Sequence, residues 1–392
     1  MTARDDVGVV LRFAQTVGDI DQPPDGAAAG PACWLILDPA WSPSPGDRDD
    51  LIAVRQVTER VLAREDLFPA TTRLLDDWAE QTGIAEALTV DGTSFWYRRR
   101  LWAWRWLHER LIWIGILDEL ARSRRITAME SPPAGETALA EVVRLFAARA
   151  AIPLHGTQGG PEAAAHDDEI AGELRESKAT DAGDAGPARS RHPLIRVLRD
   201  VVRRTGILPV DRRRARIEAR RAAMDQRAAT LASQATRRLL VVADPATYQE
   251  VATPAGRARM DPFLGPIVGR LADTPLAPIV LELGTRAADD ATWARTSSPA
   301  GARILTADIL ARRYASPDDG PVSVAAASRV ASDVAGREGR IEVAGLDLGP
   351  ALLAGLERFA RIVLPARLRE VARERRLLEA LRPAALLTVD EY

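Results

Sequence analysis

Acidic side chains that follow short apolar segments are the groups in this sequence best placed to do chemistry. They are Glu130, Asp244, Asp390 and Glu391, which come after the segments 125–129, 239–243 and 384–389. If those segments are parallel strands, the four carboxylates face the crevice where open α/β sheets bind ligands. There they can hold sugar hydroxyls or act as a general base, so we predict that they bind substrate. The alternative is that Asp244 and Asp390 only cap the loop or helix that follows.

Named catalytic motifs are absent from the sequence, which leaves the catalytic residue unassigned. It contains no GxGxxG after a strand, no P-loop GxxxxGK[ST] and no GxSxG nucleophile motif. The four histidines are His108, His155, His166 and His192, and no pair has metal-ligand spacing. Cys33 is the only cysteine, which excludes an internal disulfide and a cysteine-based zinc site. We therefore predict neither a metal nor a cofactor.

The overall composition is that of a globular protein with two domains. The chain has 392 residues, of which 46% are hydrophobic and 28% charged, and this length exceeds one ordinary core. A formal net charge of −2 argues against a dedicated nucleic-acid binder, which is usually strongly basic. Lys178 is the only lysine among 53 Lys+Arg, a bias typical of a GC-rich bacterial genome. Arginine clusters therefore carry less functional weight here than usual.

The predicted location is the cytoplasm. Residues 1–6 contain acids and no apolar core, which does not fit a signal peptide. The longest apolar run in the tryptophan-rich region, 111–117, is far shorter than the ~20 residues of a membrane span. A single cysteine also fits a reducing compartment.

The sequence pattern of residues 1–155 predicts an α/β domain that contains one long helix rich in aromatic residues. Short apolar runs at 7–13 and 32–37 have strand length, and 50–66 and 71–81 have helical spacing. Asp91-Gly92-Thr93-Ser94 supplies turn and cap residues for a long helix that starts at Phe95. A strand at 125–129, a helix at 136–150 and a strand at 152–154 complete the domain. Helices that alternate with strands indicate a parallel sheet.

One side of the aromatic helix is predicted from residues that repeat in steps of four and three, the last of them polar. Its members are Tyr97, Leu101, Trp104, His108, Leu111, Gly115 and Asp118. Six of the nine tryptophans lie between Trp78 and Trp113. Such an aromatic stripe could form a sugar platform, but core packing is the favoured interpretation, because large rings at helical spacing fill the space between layers.

Two connecting segments separate the predicted domains. Residues 156–190 are rich in Gly, Ala, Asp and Glu and predict a flexible linker. The segment 191–237 predicts a basic helical connector; with its flanking residues (189–238) it holds 15 arginines against four acids, a net of 15 − 4 = +11. Its part 191–221 could contact an anionic membrane peripherally, at the inner face. The alternative is a solvated connecting helix that packs on a lobe.

Residues 238–392 predict a second lobe of the same class. Strand signals lie at 239–243, 278–283, 303–306 and 384–389, and Asp261-Pro262 is a strong helix start. The stretch 351–381 is helical with a break near Pro365. The predicted fold class is therefore α/β, with two Rossmann-like lobes of mainly parallel strands. A parallel strand needs a covering helix after it, so we expect the second lobe to be truncated at Tyr392.

Three stretches carry a resemblance to a known family. They are 91–96 (DGTSFW) leading through the aromatic helix to the strand that ends at Glu130, 239–244 followed by 261–266 (DPFLGP), and 381–383 (LRP) leading into 386–390 (LLTVD). Together they resemble the amino-terminal part of GT-B-type bacterial glycosyltransferases that build surface polysaccharides. The resemblance covers most of residues 88–155 and 236–392. The following Gln-His-Gly-type strand end of such proteins is not in this chain.

The resemblance implies a reaction and its partners. The reaction is transfer of a sugar, or a related polyol phosphate, from a nucleotide-sugar donor to a glycan or lipid-linked acceptor. It implies catalysis between two lobes without a tightly bound metal. This chain would supply the acceptor side, and the fragment alone would show little turnover.

Two other functions stay open from the sequence. One is a non-catalytic assembly or partner-binding α/β protein, for which a large exposed apolar patch on the helix 96–113 would speak. The other is a different α/β enzyme, such as a sugar epimerase or a kinase-like transferase, since fold resemblance does not fix chemistry.

Overall fold

The computed structural model describes most of the chain and divides it into two compact units. The described residues are 8–21, 30–44, 48–133, 135–156, 209–233, 239–245, 248–253, 256–271, 274, 278–283, 293, 303–306, 309 and 313–388. Unit 1 comprises Met1–Glu173 and Ala325–Val363, and unit 2 comprises Leu174–Val324 and Leu364–Tyr392. The predicted lobe 238–392 is thus split, because its residues 325–363 belong to unit 1. Local sequence patterns carry no signal for such a return of the chain.

The predicted connecting segments fall mostly outside the described residues. Of the predicted linker 156–190, only Gly156 is described, and the basic connector 191–237 is described from residue 209 to 233. That part is a helix, Pro209–Ser233, as predicted.

The secondary structure comprises these described elements. The strands are β1 (Val9–Ala14), β2 (Ala32–Ile36), β3 (Leu51–Ala53), β4 (Thr89–Val90), β5 (Thr93–Ser94), β6 (Ile126–Glu130), β7 (Leu154–His155), β8 (Leu239–Ala243), β9 (Gln249–Thr253), β10 (Gly256–Met260), β11 (Ile279–Glu282), β12 (Ile304–Thr306), β13 (Glu342–Val343), β14 (Leu346–Asp347) and β15 (Ala385–Thr388). The helices are α1 (Val54–Arg64), α2 (Leu67–Thr82), α3 (Ile84–Ala87), α4 (Trp96–Ser123), α5 (Thr137–Ala150), α6 (Pro209–Ser233), α7 (Leu264–Leu271), α8 (Asp319–Ala335), α9 (Gly349–Ile362) and α10 (Leu364–Leu381).

The main sheet of unit 1 is parallel throughout. Its strand order is β3-β2-β1-β6-β7, and every neighbouring pair runs in the same direction. The chain builds outward from β1 to one side and then returns to the other side of β1, which is the Rossmann order 3-2-1-4-5. The reversal places a topological switch point between β1 and β6. Cys33 of β2 is buried in this sheet.

The helix predicted over 50–66 differs from the structure at its start. Leu51 begins strand β3, and α1 follows without a break at Val54. The helix predicted over 71–81 is α2, whose first turn is capped by the Asp66 carboxylate, which accepts a hydrogen bond from Phe68 N. Gly83 ends α2 in the left-handed conformation (φ 61°), as its position predicts.

The aromatic helix α4 spans the predicted residues, and the side that repeats in steps of four and three is buried only in part. Tyr97 and Leu101 are exposed, whereas Ala103, Trp106 and Leu107 are buried. The helix packs against α1, α2 and α5, so most of its circumference is covered. Bulky side chains occur on all sides of α4, and periodicity alone could not select the exposed stripe.

A short hairpin replaces the predicted cap of α4. Asp91 (φ 48°) and Gly92 (φ 77°) form the turn between β4 and β5, which pair as Thr89 with Ser94 and Val90 with Thr93. Two positive φ values are what a tight two-residue hairpin requires, and Asp-Gly satisfies them at low cost. The helix α4 then begins at Trp96 without a side-chain cap.

The main sheet of unit 2 repeats the same winding. Its order is β12-β11-β8-β15, and all its pairs are parallel. In order of occurrence this is 3-2-1-4, with the switch point between β8 and β15. The break predicted near Pro365 lies at Val363, between α9 and α10.

Helices cover both faces of the unit 2 sheet. One face packs Leu240, Leu281 and neighbouring apolar side chains against α6 and α10. The alternate residues Val241 and Ala243 pack against Leu264 of α7. Successive residues of a strand point to opposite faces of the sheet. Because both faces are covered by helices, both sets of residues are apolar, and the strands appear in the sequence as continuous apolar runs. Both units are Rossmann-like α/β lobes with parallel sheets, which confirms the predicted fold class.

In the part of the chain that the structure describes, no helix combines the length and apolar character that crossing a bilayer requires.

Candidate functional site

Glu130 lies at the carboxyl end of β6, beside the switch point of unit 1. Arg12 of β1 approaches it, with Arg12 Nε 3.1 Å from Glu130 Oε1, and both side chains are nearly inaccessible. The Arg12 guanidinium also lies over the Trp34 ring of β2, 5.3 Å from its centroid. The register of three neighbouring strands therefore places an aromatic ring, a guanidinium and a carboxylate in one row.

The loops around this row carry polar groups that are partly exposed. Gln15 follows β1, and its side-chain amide donates a hydrogen bond to Glu136 Oε1 (3.0 Å), just before α5. His155 ends β7 and is the cross-strand neighbour of Glu130. Gln15, Glu136 and His155 are all partly exposed, whereas Glu130 is buried. A ligand at this edge would meet the amide, the carboxylate and the imidazole first, with Glu130 and Arg12 behind them.

Asp244 directly follows β8 at the corresponding edge of unit 2. It is exposed, and the residue after it, Pro245, begins a short 3-10 turn, so the capping alternative stays open for Asp244. Asp390 and Glu391 lie outside the described residues, so their predicted role at this edge stays a prediction. Glu130 and Asp244 belong to different units, and each is described within its own unit.

Two buried polar residues at the unit 2 edge escaped the sequence analysis. Glu282, at the end of β11, is fully buried, and Tyr248 Oη donates a hydrogen bond to its Oε1 (3.1 Å). Thr306, at the end of β12, pairs in register with Glu282, and its buried hydroxyl makes no hydrogen bond to a described residue. The predicted strands 278–283 and 303–306 include both residues, so neither was recognised as a polar group at a strand end.

Asp261 caps the start of α7 in unit 2, as its position before Pro262 predicts. Its Oδ1 accepts hydrogen bonds of 2.8 Å from Phe263 N and Leu264 N at the start of α7. The strong helix start read from Asp261-Pro262 is thereby explained by a buried N-cap.

His108 of α4 packs against α2. Its Nδ1 lies 2.9 Å from Thr71 Oγ1, and its ring stacks on Trp104 at 4.5 Å with an interplanar angle of 15°. Burial lowers the pKa of His108, which favours the neutral imidazole at neutral pH. The role of packed residue, favoured from the sequence, fits these contacts.

Within the described ranges, no three or more His, Cys, Asp or Glu side chains come together in a way that could hold a metal ion. Comparison of the chain with protein-family models, with curated proteins and with solved structures found no match.

Proposed function

We propose that this protein binds the acceptor in the transfer of a sugar, or a related polyol phosphate, from a nucleotide-activated donor to a glycan or lipid-linked acceptor. The observation that carries the proposal is the polar edge of unit 1. The Arg12–Glu130 pair, the hydrogen-bonded Gln15 and Glu136, and His155, the cross-strand neighbour of Glu130, all lie on or directly after the strands next to the switch point or at the start of α5. Open α/β sheets bind ligands at such edges.

The chemistry of these groups suits a polyhydroxylated ligand. A sugar hydroxyl both donates and accepts hydrogen bonds, and carboxylate, amide and imidazole groups offer both kinds of partner. Transfer requires that a base remove the proton of the attacking acceptor hydroxyl. Imidazole is the side chain most often used for this, so we assign that task to His155 and a substrate-orienting task to Glu130.

Saccharide binding to the 392-residue chain tests the proposal. We would measure saturation-transfer NMR with methyl glycosides and lipid-linked oligosaccharides, on the wild type and on Glu130→Gln and His155→Ala. Glu130→Gln removes the charge that pairs with Arg12, and His155→Ala removes the imidazole. Each substitution should weaken saccharide binding at least tenfold. Glu59→Gln is the matched control, because Glu59 is an exposed carboxylate on α1 whose partner is Arg55. Absence of saccharide binding, or equal binding by Glu130→Gln and the wild type, would overturn the proposal.

The non-catalytic alternative predicts a large exposed apolar patch on α4. On α2 and α4 the large exposed apolar side chains are Phe68, Tyr97 and Leu101. Together they present roughly 300 Å² if an aromatic side chain has an area of about 200 Å². A stable protein partner usually needs about 800 Å² per side. The small area therefore favours sugar transfer as our proposal.

A further inference from the structure

An aromatic stripe runs along an exposed side of α2 and α4 in unit 1. We define it as Phe68 of α2 together with Tyr97, Leu101, Trp104 and His108 of α4. The α4 members repeat at spacings of four, three and four residues, which places them on one side of the helix. Phe68 is 63% and Tyr97 57% exposed, far more than the buried tryptophans of the same helix.

The centre of the aromatic stripe is fixed in position. Trp104 Nε1 donates a hydrogen bond to Thr72 Oγ1 (3.0 Å), and the indole stacks on His108. The Phe68 ring lies 4.8 Å from the Trp104 ring at an angle of 54°. Rings held in this way have already lost rotamer freedom, so binding a ligand to them costs less entropy.

Polar groups adjoin the rings of the aromatic stripe. Arg100, one turn from Tyr97 and Trp104, forms a two-pronged pair with Asp76, with Nη2 2.8 Å from both carboxylate oxygens. Both side chains are more than 40% exposed, so they keep donors and acceptors facing solvent. Apolar rings next to charged hydrogen-bonding groups match a sugar ring, which has apolar C–H faces and a hydroxyl edge.

We propose that the aromatic stripe is a second binding surface for a glycan, on which sugar rings stack against Phe68 and Tyr97 and bond to Arg100 and Asp76. The choice of a glycan rests on the proposed function, since an acceptor chain longer than the site needs support beyond the reacting sugar. The small apolar area and the interleaved charges disfavour a protein partner.

A glycan array tests this proposal. The array carries bacterial capsule, O-antigen and teichoic-acid glycans, and the measurement is binding of the protein to each of them. The full chain should be retained by at least one glycan, and Phe68→Ala/Tyr97→Ala should bind it at least tenfold more weakly. Asp76→Asn/Arg100→Gln, which leaves the rings intact, should weaken it as well. Leu62→Ala is the matched control, because Leu62 is a 48% exposed leucine on α1, outside the stripe. Far-ultraviolet circular dichroism confirms that each variant is folded.

The outcomes separate this proposal from the proposed function. The proposal that the aromatic stripe binds a glycan would be overturned if the wild type bound no glycan. It would also be overturned if Phe68→Ala/Tyr97→Ala bound glycans as well as the wild type does. A third result would also overturn it: light scattering that shows a dimer for the wild type and a monomer for Phe68→Ala/Tyr97→Ala. A second copy of the chain, and not a glycan, would then cover the stripe. Array binding that survives Glu130→Gln but fails with the ring variants supports the stripe. The proposed function falls separately, if no small saccharide binds at the strand edge.

Discussion

At the residue scale, the Arg12–Glu130 pair determines what the edge of unit 1 can do. The side chains of Arg12 and Glu130 are 12% and 6% exposed, and each charge is stabilised by the other and by neighbouring groups. A buried charge that loses its partner is costly, whereas an exposed pair contributes little. The pair therefore stabilises the position of the edge as well as supplying a polar group to it.

Replacing Arg12 should reveal this cost. We expect Arg12→Met to lower the free energy of unfolding by about 3 kcal/mol, because the Glu130 carboxylate is left buried without its cation. The measurement is urea unfolding followed by tryptophan fluorescence. Arg55→Met breaks the exposed Arg55–Glu59 pair and should change stability by at most about 0.5 kcal/mol. Equal effects of the two substitutions would contradict a buried Arg12–Glu130 pair.

His108 should make stability depend on pH. Burial lowers its pKa in the folded state below the ordinary value, so the unfolded chain takes up the proton first as pH falls. Stability therefore decreases as pH is lowered from neutrality through about 6.5, the ordinary pKa of histidine. Urea midpoints at pH 7.5 and pH 5.5 should differ more for wild type than for His108→Asn. An equal difference in both proteins would show that His108 is solvated.

Sequence reasoning at this scale recovered positions but not partners. Glu130 was found at a strand end because strand ends can be recognised from apolar runs. Its pairing with Arg12 depends on the register of β1 and β6, which no local pattern records. Glu282 was missed because Leu283 follows it, so that the predicted strand 278–283 contains Glu282 instead of ending before it.

At the element scale, α4 is the part that organises unit 1. Its length and its start were predictable from its composition and the Asp-Gly turn before it. Its orientation was not, since α1, α2 and α5 all pack against it. Close packing against α1 depends on Gly115, where a Cβ atom would lie 2.6 Å from Val61 Cγ1.

A methyl group at Gly115 should separate α1 from α4. We expect Gly115→Ala to destabilise the protein by about 1–3 kcal/mol through overpacking, against its normal gain of about 1 kcal/mol in helix propensity. With Val61→Ala also present, the added cost of Gly115→Ala should vanish, which a thermal double-mutant cycle measures. Gly269→Ala is the control, since a Cβ there meets no atom within 4 Å. Additive effects of the two α1–α4 substitutions would refute the contact.

At the scale of the whole molecule, the same winding occurs twice in one chain. Unit 1 has the order 3-2-1-4-5 and unit 2 the order 3-2-1-4. The alternation of strands and helices made two α/β lobes predictable. The assignment of residues 325–363 to unit 1 was not predictable, because it depends on contacts between residues far apart in sequence.

Unit 1 should need the distant segment 325–363 to be stable. Within the unit, Phe359 lies under the Arg99 guanidinium at 4.0 Å, and Arg337 Nη1 donates a hydrogen bond to Thr82 O (3.0 Å). A polypeptide of residues 1–156 should therefore be more protease-sensitive than the same region in the full chain. Adding 325–363 through a flexible linker should restore resistance in limited trypsin digestion. Full resistance of 1–156 alone would contradict the assignment.

The reactivity of the buried Cys33 thiol in β2 can report when unit 1 opens. Cys33 is the single sulfhydryl of the protein, and burial raises its pKa, so thiolate is scarce while the strands stay closed. A coloured disulfide reagent should react with the native protein only as fast as the first lobe opens. Reaction rates at increasing urea would then time the separation of that lobe, without any engineered label.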